Sequence, residues 1–268
     1  MDRAPSDADD AARFKTQQTL ASMHMHRGQG AAGLPHAQEA LAIAERLGHA
    51  EWQALALGTI GSCMDTGGGD DEAALHHYRR ARDLARASDS AVPLAAALNN
   101  IANIEFRQGQ LQSAAEGFRQ ALQVSRASGD VRLTLIELHN LMRVLVAARD
   151  HDAARECAIE SELMLRGVEE HALKLELLEV AGGLASSRNE HLFAARLWGS
   201  TLQRYHDLGY TRPRQDEALL QHRLTQSRHA LGDTAFAAAE AAGEALEVDA
   251  AMIELRQWLE RRPDGANA

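Results

Sequence analysis

The chain has 268 residues, of which 45% are hydrophobic and 25% charged, enough apolar content for one or two folded domains and too much for a disordered protein. Its formal net charge of −10 and isoelectric point near 5.7 exclude a general attraction to nucleic acid or anionic lipid. Mean hydropathy is −0.34, and no apolar run approaches the ~18 residues of a membrane-spanning helix. Because the acidic N-terminus also lacks a signal-peptide core, we expect a cytoplasmic protein without direct contact to nucleic acid or membrane.

Helix is predicted along almost the whole chain, because alanine and leucine dominate and runs of β-branched residues are nearly absent. Pro35, Pro93 and Pro213 each precede an apolar-periodic segment, so we expect each of them in the first turn of a helix. Residues 1–9 and 261–268 are rich in Asp, Pro, Gly and Ala and have no apolar face. Both segments are predicted to be disordered tails.

The stretch LNNIANIEFRQGQLQSAAEGFRQAL, residues 98–122, shows the basic structural unit. Leu98 and Ile101 lie on one helical face, Gly109 interrupts the pattern, and a second apolar face begins at Leu111. A turn this short makes the two predicted helices antiparallel neighbours.

The same unit recurs along the chain. The ends of successive helix pairs align at intervals of about forty residues, at Gly48, Asp89, Gly129, Gly167 and Gly209. A helix pair repeated at a near-constant interval indicates an α-solenoid, in which each pair buries its apolar face against the next. We therefore predict helical repeats over residues 10–209 and, where the interval stops, a C-terminal cap of three further helices over residues 210–260.

The third unit resembles a tetratricopeptide (TPR) repeat. Its large and small packing residues fall at the positions that this family uses, namely Leu98, Ile101, Ala102, Gly109, Leu111, Ala114, Phe118 and Ala121. The second unit matches through Leu57, Ile60, Gly61, Ala74, Tyr78 and Ala81, and the fourth through Leu138, Leu141, Ala154 and Ala158. The resemblance implies an all-α fold, a right-handed α-solenoid of about five TPR-like helix pairs.

The last quarter of the chain is similar to the C-terminal end of large bacterial regulators of the LuxR and SARP types, which join an ATPase module to a helical-repeat arm. An ATPase needs a phosphate-binding loop with a lysine directly after a glycine. Lys15 follows Phe14, Lys174 follows Leu173, and the glycine-rich GGGDDE at 67–72 is acidic and predicted to be a turn. The chain resembles the arm without the ATPase or the DNA-binding domain, and no cofactor is expected.

Thirteen histidines raise the question of a metal site. In MHMH at 23–26, His24 and His26 point to different sides of a helix and cannot close on one ion. His222 and His229 share a face, but about 10 Å of helix rise separates them. Surface or groove histidines are the favoured interpretation, and no metal is predicted.

Enzymatic chemistry finds little support in the sequence. No G-x-S-x-G elbow or similar local nucleophile signature occurs. Glu176 and Glu179 have the spacing of an acid–base pair on a helix, but a solvated helix face explains them more simply. Cys63 and Cys157 have neither disulfide-framework nor metal-type spacing, so we expect two buried thiols.

The resemblance also implies where a partner would bind, because the first helix of each pair lines the concave groove of a TPR solenoid. The corresponding positions are Asn99, Asn103, Phe106 and Arg107 in the third repeat, His139, Arg143 and Val146 in the fourth, and Glu176 and Glu179 in the fifth. Asparagine can donate to and accept from a peptide backbone, and arginine can hold a carboxylate with two hydrogen bonds. The two-carboxylate clamp of the family uses lysines that these positions lack, so that ligand is not predicted.

These observations favour a non-enzymatic interaction module that binds a peptide or protein segment in bacterial signalling or transcriptional regulation. A regulator's sensory arm that binds a small effector between repeats is the alternative, and a metal-dependent hydrolase is the third hypothesis. The identity of the partner and the assembly state, including a homo-oligomer, stay open.

Overall fold

The computed structural model describes residues 7–66, 69–209, 212 and 214–261. Over these residues the secondary structure is helical, without a strand, as predicted. The thirteen helices are α1 (Asp7–His26), α2 (Gly30–Arg46), α3 (Ala50–Asp65), α4 (Asp71–Ala87), α5 (Ala91–Arg107), α6 (Leu111–Ser128), α7 (Val131–Ala147), α8 (His151–Met164), α9 (His171–Ser187), α10 (His191–Asp207), α11 (Arg214–Leu231), α12 (Asp233–Glu244) and α13 (Val248–Glu260). Five pairs followed by three helices agree with the predicted order, and the fold is an all-α helical repeat.

Left-handed residues end the five predicted repeats. Positive φ angles occur at each expected position, at Gly48 (64°), Asp89 (53°), Gly129 (73°), Gly167 (72°) and Gly209 (67°). Glycine adopts this conformation without a Cβ clash, and aspartate tolerates it better than most residues. A helix that ends this way turns sharply into the next, so the regular spacing of these residues explains the regular helix lengths.

The chain divides into two compact units, Met1–Asp130 and Val131–Ala268. In the first unit each helix packs on its neighbours along the chain, and α3 also contacts α1 and α5. Small residues allow this close stacking. A Cβ on Gly117 of α6 would lie 2.9 Å from the Cβ of Ala102 in α5, and a Cβ on Gly61 would lie 2.7 Å from the Tyr78 ring. Glycine or alanine is therefore needed where helices touch.

Ala121→Phe is expected to destabilise the first unit by about 1–3 kcal/mol, because the site is fully buried between helices and cannot accept a ring without displacing them. Ala114→Leu, at an equally buried position, is expected to act in the same direction. Thermal and urea unfolding would measure both. Gln123→Leu, at an exposed position of the same helix, is the control and should change stability little. Unchanged melting of both alanine variants would contradict the repeat register.

In the second unit α9 contacts α7 on one side and α11 on another, while α12 packs on α10 and α11. The last helix, α13, contacts α8, α9 and α10. Arg155 of α8 donates to the carbonyl oxygen of Leu259, and the buried Glu162 accepts from Arg166 and Arg256 at 2.7 and 2.6 Å. The three helices predicted as a cap are thus bound closely to the fourth and fifth pairs.

Some local predictions need correction. Helix α1 begins at Asp7, inside the predicted tail 1–9, whereas residues 1–6 and 262–268 lie outside the described part of the chain. Pro93 lies in the first turn of α5 as expected, but Pro35 lies within α2. Helix α2 starts before the position that Pro35 predicts, because Gly30 and Gly33 belong to the helix and pack closely against its neighbours.

The physical reason is visible at the first of these glycines. A Cβ on Gly30 would lie well under 3.0 Å from the carbonyl oxygen of Cys63, so the residue must be glycine to let α2 approach α3.

Pro213 lies outside the described residues. None of the helices in the described ranges is long and apolar enough to cross a bilayer.

Candidate functional site

The second unit brings together four of the predicted groove residues. His139 and Arg143 lie on α7, and Glu176 and Glu179 lie on the adjacent helix α9. Nδ1 of His139 is 3.5 Å from Oε2 of Glu176. His139 itself is fully buried, so it lies beneath the surface and reaches the site only through Glu176. This burial does not favour the predicted direct contact of His139 with a ligand.

A cavity of about 260 Å³ opens beside these residues, between α7, α9, α10 and α11. We call it the α9–α11 cavity. Six charged side chains line it, three basic and three acidic: Arg143, Arg212, Arg223, Glu176, Glu179 and Asp216. The rest of its wall is mostly apolar, formed by Ala172, Val180, Trp198, Tyr205, Leu219 and Leu220. A concave, partly apolar space with a few converging polar groups is the usual form of a ligand site.

Each of the three acids has a basic neighbour. Nη2 of Arg212 is 2.6 Å from Oε2 of Glu179, and Nη1 of Arg143 is 2.9 Å from Oδ2 of Asp216. Glu176 has His139 beside it. The guanidinium of Arg212 also lies over the Tyr205 ring, 3.9 Å from its centroid, which adds a cation–π contact.

The environment shifts the pKa values of these acids in opposite directions. Burial raises the pKa of Glu179, with smaller contributions from Glu176 and Asp216, and the contact with Arg212 only partly offsets this. For Glu176, burial acts upward too, but the hydrogen bond and charge of His139 and the charge of Arg143 lower the pKa overall. Two carboxylates on one helix therefore have different affinities for a proton, as groups in binding sites often do.

Arg223 of α11 differs from the other two arginines. Among the described residues, none offers its guanidinium a hydrogen bond or a carboxylate within 4.0 Å. Burial lowers the pKa of Arg223 to about 10, and the charge of Arg143 acts in the same direction. The guanidinium lies directly against Gly183 of α9, where a Cβ would come well under 3.0 Å from Nη1. A glycine at this position is what allows Arg223 to reach the cavity.

Trp198 of α10 forms the floor of the same site. The side chain is fully buried, and its indole Nε1 donates to the carbonyl oxygen of Glu179 at 3.1 Å. A Cβ on Gly182 would lie 2.5 Å from Nε1, so glycine is needed here as well. The Gly182–Gly183 pair of α9 thus accommodates two large side chains, Trp198 and Arg223, at the cavity.

The predicted groove residues of the first unit lie together on α5. Nδ2 of Asn103 donates to Oδ1 of Asn99 at 2.8 Å, and Phe106 is half-buried. Nη2 of Arg107 lies 2.5 Å from Asp65. The same nitrogen lies 2.7 Å from Asp71, so this side chain already links α5 to α3 and α4.

Sequence reasoning missed Trp198 and the α11 side of the cavity, Asp216 and Arg223. These residues had been assigned to the fifth repeat's second helix and to the cap, where no groove position was sought. A usable signal exists, because Asp216 follows Glu176, and Arg223 follows Gly183, by about one repeat length. Extending the repeat interval once past Gly209 would have found both.

Both cysteines are buried, as predicted, and burial raises the pKa of the Cys63 thiol. Val146, named beside the groove positions of the fourth repeat, is buried in α7. Within the described ranges, no group of three or more His, Cys, Asp or Glu side chains is placed to hold a metal ion.

Comparisons with known proteins agree with this architecture. The family model described as "Tetratricopeptide repeat" matches residues 13–87 and 93–166. The fold is similar to the putative kinesin light chain TPR-like repeats of Podosopora anserina, with 15% identity over 83% of this chain and 96% of that chain and a TM-score of 0.54. It is also similar to the apo form of RapI, with 14% identity over 82% of this chain and 83% of that chain and a TM-score of 0.56. Among curated proteins, no sequence matches. Since the family model covers more than half of its residues, the chain belongs to the tetratricopeptide repeat family.

Proposed function

We propose that the chain is a non-enzymatic interaction module that binds a peptide or protein segment along the first helices of its repeats. In the first unit the binding residues would lie on α5, at Asn99, Asn103, Phe106 and Arg107. In the second unit Arg143, Glu176 and Glu179 would serve on α7 and α9. Tetratricopeptide repeats generally bind proteins or peptides, and the family match supports this class of activity.

The charged lining of the α9–α11 cavity carries this proposal. Half-buried ion pairs such as Arg212–Glu179 and Arg143–Asp216 add little to stability, because desolvation offsets most of their attraction. Apolar side chains of similar volume would stabilise the same helix contacts as well or better. A cluster of such pairs around an open space is therefore better explained by recognition than by folding.

The setting is proposed to be cytoplasmic, in bacterial signalling or transcriptional regulation. The similarity of the last quarter of the chain to the arms of LuxR-type and SARP-type regulators supports it. The net charge of −10 argues against direct nucleic-acid binding, so a separate protein would supply any DNA contact.

Capture of a partner from lysate with the wild-type chain, followed by titration, tests the proposal. The double variant Asn99→Ala, Asn103→Ala is expected to weaken binding about ten-fold, because each amide contributes hydrogen bonds to an extended backbone. Both asparagines are partly exposed on α5, so their truncation is expected to affect folding little. Isothermal titration calorimetry would give the dissociation constants.

The matched control is Gln112→Ala, Gln123→Ala, two exposed positions on the second helix of the same pair. Equal losses in the two double variants would contradict binding along α5. Arg107 and Arg155 are poor probes for this purpose, because the first bridges Asp65 to Asp71 and the second holds the carbonyl of Leu259. Their removal would change stability as well as affinity.

The alternative function, sensing of a small effector, is favoured by one observation. The α9–α11 cavity is a defined space of about 260 Å³ with a mixed polar and apolar wall, closer to the size of a small molecule than to that of a helix. Both functions can use the same face of the second unit, since a small ligand would occupy the cavity and a peptide the surface around it.

A further inference from the structure

The arginines and carboxylates around the α9–α11 cavity are equal in number, but they are not all in direct contact with one another. Its three carboxylates have basic neighbours, namely Arg212 for Glu179, Arg143 for Asp216 and His139 for Glu176. Arg223 is the remaining arginine of the cavity wall, and it has no carboxylate within 4.0 Å among the described residues. The cavity therefore presents one guanidinium that has no direct carboxylate contact within the described part of the chain.

The position of Arg223 is specific rather than accidental. Arg223 is partly exposed, and an arginine with this access to water would normally extend further into it, because desolvating a guanidinium without a counter-charge is costly. Here the side chain instead lies against the backbone of α9, in the space left by Gly183. The backbone and the arginine together direct a guanidinium with unused donors into the cavity.

The other side chains of the cavity wall indicate which kind of ligand would fit. Val180, Trp198, Leu219 and Leu220 supply apolar surface beside Arg223. A volume of about 260 Å³ lies just below the usual range of pockets for drug-sized ligands, so it suits a compact molecule or one large side chain. A compact anion with an apolar body matches both parts of the wall.

We infer that the α9–α11 cavity binds the carboxylate of a small organic acid, which accepts hydrogen bonds from Arg223 while its apolar body packs on Trp198 and Leu220. A planar guanidinium can donate two parallel hydrogen bonds to a carboxylate, which makes this pairing both strong and directional. The inference rests on the proposal that this face of the second unit binds a ligand, and it names the chemistry of that ligand.

The probe for the test is 3-phenylpropionate, a monoanion with an aromatic body, compared with its neutral amide 3-phenylpropanamide. Chemical-shift titration of the full-length wild-type chain is expected to show binding of the acid about ten- to hundred-fold tighter than of the amide. Shifts should include the Trp198 indole N–H, which lies at the floor of the cavity. Equal affinity for acid and amide would overturn the inference.

Two variants identify Arg223 as the group that recognises the acid. Arg223→Gln removes the cation and is expected to abolish the preference for acid over amide. Gly183→Ala keeps the arginine but places a Cβ in the space its guanidinium occupies, so the flexible end of the side chain must move away. It should lose the same preference with folding intact, because the end of an arginine moves easily and alanine favours helix.

The matched control is Gly58→Ala in α3, where a Cβ would meet nothing within 4 Å. It is expected to melt like Gly183→Ala and to bind the acid like wild type. If both glycine variants are folded and both bind normally, Arg223 does not hold the ligand and the inference fails. Thermal melting of all variants identifies any loss of binding that comes from unfolding.

The source of the carboxylate is distinguished by a second pair of probes, acetyl-Gly-Gly-Phe with a free and with an amidated C-terminus. A free small acid as the natural ligand predicts tighter binding of 3-phenylpropionate than of the peptide acid, and a peptide terminus predicts the reverse. The result is also separate from the partner test. If the acid probes do not bind but the partner is still captured, this inference alone is rejected. If Asn99→Ala, Asn103→Ala loses partner capture but the acid still binds, the result reports on the proposed α5 site and leaves this inference unaffected.

Discussion

Gly243→Ala is expected to destabilise the second unit by about 3 kcal/mol, at the upper end of the usual range for overpacking. Helices α10 and α12 approach so closely that a Cβ on Gly243 would lie well under 3.0 Å from the backbone carbonyl oxygen of Arg196. The reciprocal contact has the same form, since a Cβ on Gly199 would meet the carbonyl oxygen of Glu240. Backbone atoms cannot rotate away as a side chain can, so the two helices must separate.

Urea unfolding followed by circular dichroism would measure this loss. Gly58→Ala, at a helical glycine with open space around its Cβ position, is the control and is expected to raise stability by about 0.5–1 kcal/mol through helix propensity. Because both variants make the same chemical change, the difference between them isolates the helix contact. A Gly243→Ala variant as stable as the control would mean that α10 and α12 do not touch in this way.

Trp198→Ala is expected to cost about 3–5 kcal/mol, the range found when a large aromatic side chain is removed from a core. Trp198 is fully buried, packs on Gly182 and donates its indole N–H to the carbonyl oxygen of Glu179. The truncation therefore leaves a cavity and removes a hydrogen bond to the backbone of α9 at once. Differential scanning calorimetry would report the change in melting temperature.

Trp198→Phe separates these two effects. Phenylalanine keeps much of the packing but cannot donate to Glu179, so it is expected to cost about 1–3 kcal/mol. It should also preserve most of the wall of the α9–α11 cavity and hence the binding of 3-phenylpropionate. If the phenylalanine variant were as unstable as the alanine variant, the hydrogen bond rather than the packing would dominate at this position.

Two pairs of glycines help to shape and to support the α9–α11 cavity. Gly182 and Gly183 make room for side chains at the cavity, whereas Gly199 and Gly243 bring backbones together behind it. Helix α10 is thus held firmly by α12 while it presents Trp198 to the ligand space. A floor fixed in this way reduces the ordering that a bound ligand would otherwise impose.

The helical repeat could be predicted from the sequence because its determinants are local. Left-handed turns at Gly48, Asp89, Gly129, Gly167 and Gly209 need particular residue types at particular intervals, and the alternation of small and large residues reports which faces touch. The predicted order of five pairs and three helices followed from these signals. Four of the residues near the cavity were found by the same means, since an offset within a repeat places a residue on a known face.

Tertiary structure decided the features that depend on contacts between distant segments. Pro35 was expected in the first turn of α2, whereas the helix already begins at Gly30, which packs against Cys63 of α3. The burial of His139 beside Glu176 of α9 likewise depends on how the helices pack. The ion pairs of Arg107 and Arg143 join helices that are far apart in the chain, and no interval in the sequence predicts these pairs.

The α9–α11 cavity is the clearest example of a feature that only the tertiary structure decided. Each of its charged residues is ordinary in the sequence, and only the packing of α9 against α7, α10 and α11 brings them together around one space. Whether an arginine there has a counter-charge depends on distances of a few ångströms between side chains on different helices. Local sequence determines which residue types a helix presents, whereas the packing of the helices determines which charged side chains of this site contact each other.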